Sequence, residues 1–346
     1  MGTCRNLNVM IIEPDTVPSK LRIVLGIGLC LALIFCPVSA VLAVTDGTHP
    51  VIHGNSPPKT AVGFSGLRST ATDLSGNVYV ADTDNNRIQK FTSNGILIRK
   101  WGSTGTANGS FDKPRGIAID GFSGYVYVAD TSNDRIQKFN LNGGFIRTWG
   151  SFGTANGRFN NPWGVTVDAA HNVYVADTGN NRVQKFSSDG VFIRKWGSYG
   201  TASNGRFNTP SGIASDWDGT VYVADTYNDR IQKFNNSGGF IRKWGSYGTA
   251  SNGRFNLPAG IAVDRSAGNV FVTDTNNNRI QKFTRDGGFS RKWGLPGTAN
   301  GQFNFPGGLG VDSSGNVYVA DTNNNRVQKF NISGGFLRKW GSLGSG

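Results

Sequence analysis

From residue 45 onward the chain alternates short apolar runs with clusters of Gly, Asn, Asp and Ser, and no helical period appears. The run Val-Tyr-Val-Ala-Asp-Thr begins at Val78, Val126, Val173 and Val221, becomes Val-Phe-Val-Thr-Asp-Thr at Val270, and returns at Val317. The spacings are 48, 47, 48, 49 and 47 residues. Trp-Gly pairs keep the same beat at Trp101, Trp149, Trp196, Trp244, Trp293 and Trp340. Each unit reads as four short strands rich in β-branched and aromatic residues: Pro-x-Gly-Ile-Ala-x-Asp, Val-Tyr-Val-Ala-Asp-Thr, Arg-Ile-Gln-Lys-Phe and Phe-Ile-Arg-Lys-Trp. Four strands in a unit of this length, repeated radially, predict an all-β fold, a six-bladed β-propeller of four-stranded antiparallel blades.

The expected blades cover about 65–102, 114–150, 162–197, 210–245, 258–294 and 306–341, so that the propeller occupies 65–346 after a linker over 45–64. No strand overhangs for an interlocked closure. The ring is expected to close by packing and by the tail Gly341 to Gly346, which stands where other blades have an inter-blade loop. Residues 1–44 are different in kind. Lys20 and Arg22 precede an apolar run from Ile23 to Val44, and Pro37 with Val38-Ser39-Ala40 gives the helix breaker and small residues of a signal cleavage site after Ala40 or Ala43. The run is also long enough for an uncleaved anchor over 23–44. Either way the flanking charge places the rest of the chain outside the cytoplasm, secreted or held at the cell surface.

The wording of blades two to six resembles the NHL-repeat family, as in Pro114-Arg115-Gly116-Ile117-Ala118-Ile119-Asp120, Val126-Tyr127-Val128-Ala129-Asp130-Thr131 and Arg135-Ile136-Gln137-Lys138-Phe139. Blade one departs, with Phe64-Ser65-Gly66-Leu67 in place of the proline segment. The resemblance implies a binding propeller, similar to the extracellular sensor propellers of bacterial receptor kinases. It leaves open two other readings: an RNA-binding propeller, as in some eukaryotic members, and a metal-dependent lyase of the peptide-amidating type.

Composition narrows these. Cys4, Cys30 and Cys36 all precede the repeats, which excludes disulfide scaffolds, thiolate zinc sites and cysteine nucleophiles there. Glu occurs once, at Glu13, and the repeats hold a single histidine, His171. His49 and His53 in the linker are too few for a closed zinc site. No metal, cofactor or catalytic constellation is expected, and the export signal opposes a nucleic-acid partner.

The net charge of +13 falls largely on the Arg-Ile-Gln-Lys-Phe and Arg-Lys-Trp strands. Lysine and arginine on an outermost strand deter edge-to-edge pairing. Asp82, Asp130, Asp177, Asp225, Asp274 and Asp321 each stand five residues before Arg87, Arg135, Arg182, Arg230, Arg279 and Arg326. An Asp–Arg pair pinning the hairpin explains that repeat, whereas a calcium loop would need more oxygen ligands.

Function is expected where blades differ. The loops joining blades share a face with the turns between second and third strands, and this face carries Arg115, Trp163, Arg158, Arg206, Arg254, Tyr199, Tyr227 and Tyr247. Arginine with aromatic rings suits stacking and anion contact, hence a protein or an acidic glycan.

Overall fold

A computed structural model describes residues 62–345. Six four-stranded antiparallel sheets follow one another, each with its strands in chain order from first to fourth. They are blade 1 (69–101), blade 2 (114–149), blade 3 (162–196), blade 4 (210–244), blade 5 (258–293) and blade 6 (306–340). Among the described residues no helix is long and apolar enough to cross a membrane. The expected signal or anchor segment lies outside the described residues.

The period of two in Val-Tyr-Val-Ala explains how the blades pack. In blade 1, Val78 and Val80 point back against Tyr318 and Ala320 of blade 6. Tyr79 and Ala81, on the other face, meet Val126 and Val128 of blade 2. A valine pair therefore meets a tyrosine–alanine pair at each of these seams, and the second strand is buried on both faces. The first strands crowd together at the centre. A Cβ on Gly116, Gly164, Gly212 or Gly260 would collide with the backbone of Trp163, Ser211, Ala259 or Gly307 in the next blade. Glycine permits that approach.

The repeated Asp–Arg pairs are buried and close, from 2.6 Å for Arg182–Asp177 to 2.7 Å for Arg135–Asp130. Each arginine does more than neutralise its partner. Arg182 Nε donates to Asp177 Oδ2, while Nη1 and Nη2 donate to the carbonyls of Thr154, Ala155 and Arg158 in the preceding inter-blade loop. Gln184 Nε2 donates to the same Asp177 oxygen at 2.9 Å. The outer-strand arginines also bridge blades: Arg242 donates to the Asp286 carbonyl and Arg291 to the Ser333 carbonyl of the next blade. Their charge guards an edge and their donors tie neighbouring sheets.

The ring closes through the tail, as expected, and also through strand pairing. Gly63–Phe64 pairs in parallel with Ser342–Leu343. Gly63 and Phe64 thus belong to the propeller and not to the linker, because Phe64 is fully buried against Phe91 at 5.7 Å. The same parallel contact recurs inside the other loops, as Thr104 with Phe111 and Phe152 with Phe159. The seam is an ordinary inter-blade loop made from the two ends of the propeller segment.

Candidate binding face at the channel mouth

Six residues follow the proline position at the start of the first strands: Arg68, Arg115, Trp163, Ser211, Ala259 and Gly307. Three consecutive blades place large side chains there, and the next three place small ones. The small half leaves a cavity of about 200 Å³, with Arg68 and Trp163 on its large side and Tyr227 on its rim. Tyr227 is exposed and sits on a turn that Thr226 pins by donating to the Pro258 carbonyl at 2.9 Å.

The large half is an electrostatic anomaly. The Arg115 guanidinium lies over the Trp163 ring at 4.3 Å. Its Nε is buried with no hydrogen-bond partner among the described residues. Burial and then the Arg68 charge push the Arg115 pKa below the ordinary guanidinium value, with Asp84 opposing. Burial likewise lowers Arg68, again against Asp84. Asp84 is itself exposed and shared with Lys113 at 3.5 Å. Two crowded cations with one orphaned donor favour an incoming anion, since an unpaired buried donor costs about 1–3 kcal/mol.

The remaining residues singled out from the sequence lie elsewhere on this face. Arg158, Arg206 and Arg254 are exposed on the inter-blade loops and do not line the mouth cavity. Arg206 donates to Ser198 Oγ at 2.6 Å and Arg254 to Ser246 Oγ at 2.8 Å, so both guanidiniums are steered by their own loops. Tyr199 and Tyr247 stand exposed on the same loops. The structure therefore brings Trp163 and Tyr227 to the mouth cavity, stacks Arg115 on Trp163 just outside its lining, and leaves the other five in an outer zone.

Arg68 escapes the sequence pattern because Leu67 replaces the proline of the template. A usable signal exists: Arg68 precedes Asp73 by five residues, the same spacing as Arg115 to Asp120. Within the channel, Thr70, Ile117, Val165, Ile213, Ile261 and Leu309 line both this cavity and a second one at the opposite mouth. This girdle divides the channel into two cups. Among the described residues no group of three or more His, Cys, Asp and Glu side chains could hold a metal ion.

The family model for the NHL repeat matches residues 64–91, 111–139, 159–186, 207–234, 255–283 and 303–330, one match to each blade. The chain belongs to the NHL-repeat family. No curated protein sequence matches it. Among solved structures the NHL propeller is similar to a streptogramin B lyase, at 15% identity and a TM-score of 0.57 over 82% of this chain and 85% of that one. It is also similar to the virginiamycin B lyase of Staphylococcus aureus, at 16% identity and a TM-score of 0.56 over 81% and 86%. A chain of a nidogen/laminin complex aligns at 16% identity and a TM-score of 0.55 over 80% and 93%. Identities this low show a shared fold and nothing of activity.

Proposed function

We propose that this protein is an exported, non-catalytic NHL scaffold that captures a carboxylate-bearing protein or glycan partner at the channel mouth of its inter-blade-loop face. The observation that carries the reading is the Arg115 guanidinium, stacked on Trp163 with its Nε buried and unpartnered beside the second cation Arg68. A carboxylate in the cavity would accept from Arg68, which lines it, with the Arg115 charge behind Trp163 adding attraction, and the Trp163 and Tyr227 rings would cover the flat or apolar part of the same ligand. The small residues Ser211, Ala259 and Gly307 supply the room. Export rests on Lys20 and Arg22 before the apolar run and on the small residues around Ala40.

The test is a binding screen of the intact chain against acidic glycans, acidic peptides and oligonucleotides at about 0.15 M salt, where loose surface attraction is largely screened. Hits are repeated with Arg115→Ala, Trp163→Ala and Arg206→Ala. The expected result is a glycan or peptide hit weakened on the order of tenfold by either mouth substitution and much less by Arg206→Ala. A hit indifferent to Arg115 and Trp163 would refute the mouth as the site. Oligonucleotide binding that survives this salt would favour the nucleic-acid reading instead.

A further inference from the structure

The opposite mouth, formed by the turns between first and second strands, carries a second and differently built constellation. Asp73, Asp120, Asp168, Asp216, Asp264 and Asp312 occupy one template position there. Most are engaged by their own turns: Asp168 Oδ1 accepts from the Asn172 backbone at 2.8 Å, and Oδ2 accepts from the Tyr174 hydroxyl at 2.8 Å. His171 takes Asp120, at 2.7 Å. Arg285 takes Asp216, at 3.0 Å. Lys90, His171 and Arg285 thus stand beside Asp73, Asp120 and Asp216, while Asp168, Asp264 and Asp312 are held by hydrogen bonds with no basic group within 4.0 Å among the described residues.

The turn residues just after these aspartates vary from blade to blade, and three of the departures meet. Phe122 of blade 2 and Trp217 of blade 4 pack at 5.4 Å between ring centroids, although blade 3 separates their sheets. Both are exposed, at 63% and 40%, so their outer faces remain open to a ligand. Arg265 of blade 5 lies against Trp217 at 5.1 Å and reaches past blade 4 to the Val167 carbonyl of blade 3. Its Nε donates to the Ser215 carbonyl at 3.2 Å and its Nη2 to Ser215 Oγ at 3.3 Å.

These acceptors are all neutral. Burial lowers the Arg265 pKa, and the carboxylates of Asp216, Asp168 and Asp120 oppose this from a distance. No carboxylate among the described residues lies within 4.0 Å of the Arg265 guanidinium, and Nη1 has no acceptor among them. Arg265 is half-buried with Nη1 unengaged among the described residues, so a carboxylate entering beside it would gain a charge-assisted bond, against the repulsion of Asp73, Asp120, Asp168, Asp264 and Asp312 in the same lining. The cup holding Arg265 has a volume of about 250 Å³, with an aliphatic wall from the girdle and the hydroxyls of Thr166 and Ser215. At ~30 Å³ per water that is roughly eight water volumes, enough for one six-membered ring with a carboxylate.

We propose that this mouth is a second binding site, for a small aromatic carboxylate whose carboxylate bonds Arg265 and whose ring packs on Phe122, Trp217 and the aliphatic wall. The girdle keeps it separate from the Arg115–Trp163 mouth, so the two sites stand or fall independently.

The probe is fluorobenzoate, titrated into the intact chain and followed by fluorine NMR at about 0.15 M salt, with neutral fluorobenzamide alongside. The expected result is saturable fluorobenzoate binding, fluorobenzamide weaker on the order of tenfold, and a similar loss in Arg265→Gln, as for a charge-assisted bond. Trp217→Ala, on an exposed turn, should also weaken binding while leaving the thermal midpoint near that of the parent. Arg115→Ala should leave it unchanged. No saturation by about 10 mM, equal affinity for the two probes, or full binding in Arg265→Gln would each overturn the proposal.

Discussion

Each template tryptophan lies on a glycine of the following blade, and this contact shows how closely the seams are fitted. A Cβ on Gly190 would stand 2.6 Å from the Trp149 ring, and one on Gly238 would stand 2.7 Å from Trp196. The indole N–H groups of all six tryptophans are buried without a partner among the described residues, so ring packing outweighs a lost hydrogen bond at every seam. Gly190 and Gly109 separate the packing effect from the backbone effect. Both have positive φ, +79° and +83°, but nothing lies within 4 Å of a Cβ on Gly109. Alanine therefore strains the backbone equally at the two positions, and only at Gly190 does it displace an indole. Gly190→Ala is expected to lose about 1–3 kcal/mol more unfolding free energy than Gly109→Ala, by denaturant titration. Equal losses would mean that the seam yields freely. The Trp-Gly beat was plain in the sequence, whereas the glycine that receives each ring was not, because it lies in another blade and reads as one turn residue among many. Arg115 and Trp163 were legible as departures from the template. Their stacking was not, since nothing in one chain read linearly says that first strands approach at their starts.

At the scale of single elements, the turn between first and second strands is organised by its aspartate. In blade 5, Asp264 Oδ1 accepts from the backbone of Ser266 and Ala267 and from Ser266 Oγ, while Oδ2 accepts from Asn269 Nδ2. Burial would raise this carboxyl, but the hydrogen bonds outweigh burial and hold it below the usual carboxylate value. A carboxyl with a depressed folded pKa stabilises the fold above the unfolded value, about 3.9, and that contribution fades as the pH falls through the folded one. Asp264→Asn should therefore melt below the parent at pH 7, and the gap should narrow as the pH is lowered from about 4. A gap independent of pH would assign the role to shape and not to charge. The sequence showed this aspartate as a template residue in every blade. It held no hint that Phe122, Trp217 and Arg265, on the adjoining turns, would converge, because three different departures on three blades share no motif.

For the whole molecule, the repeat count, the strand order and the role of the tail as a loop were all readable, since each follows from a pattern written six times. The parallel pairing at the seam was not, because two residues at each end are too short to show a strand pattern. That pairing is reinforced around Arg87, whose guanidinium donates to the carbonyls of Ser345 and Gly63 at 2.7 and 2.9 Å. Asn85 donates to the Gly344 carbonyl at 3.0 Å, and Ser342 N–H to the Val62 carbonyl at 3.1 Å. Removing residues 342–346 deletes the bonds made by Ser342, Gly344 and Ser345 while leaving the Arg87–Gly63 bond and all six sheets intact. The expected loss is about 2–4 kcal/mol in chemical denaturation, with faster hydrogen exchange in blades 6 and 1 than in blades 3 and 4. Undiminished stability would place closure in side-chain packing alone.

The seam has a topological consequence. Because Gly63 and Phe64 lie alongside Ser342 and Leu343 just as Thr104 lies alongside Phe111, the break in the ring occupies a position equivalent to five unbroken ones. The propeller is thus a closed circle to which the polypeptide assigns an arbitrary starting point. Joining the two ends and reopening the chain within the loop before blade 4 would rename every blade without moving one, and both mouths, built from adjacent first strands, would keep their membership.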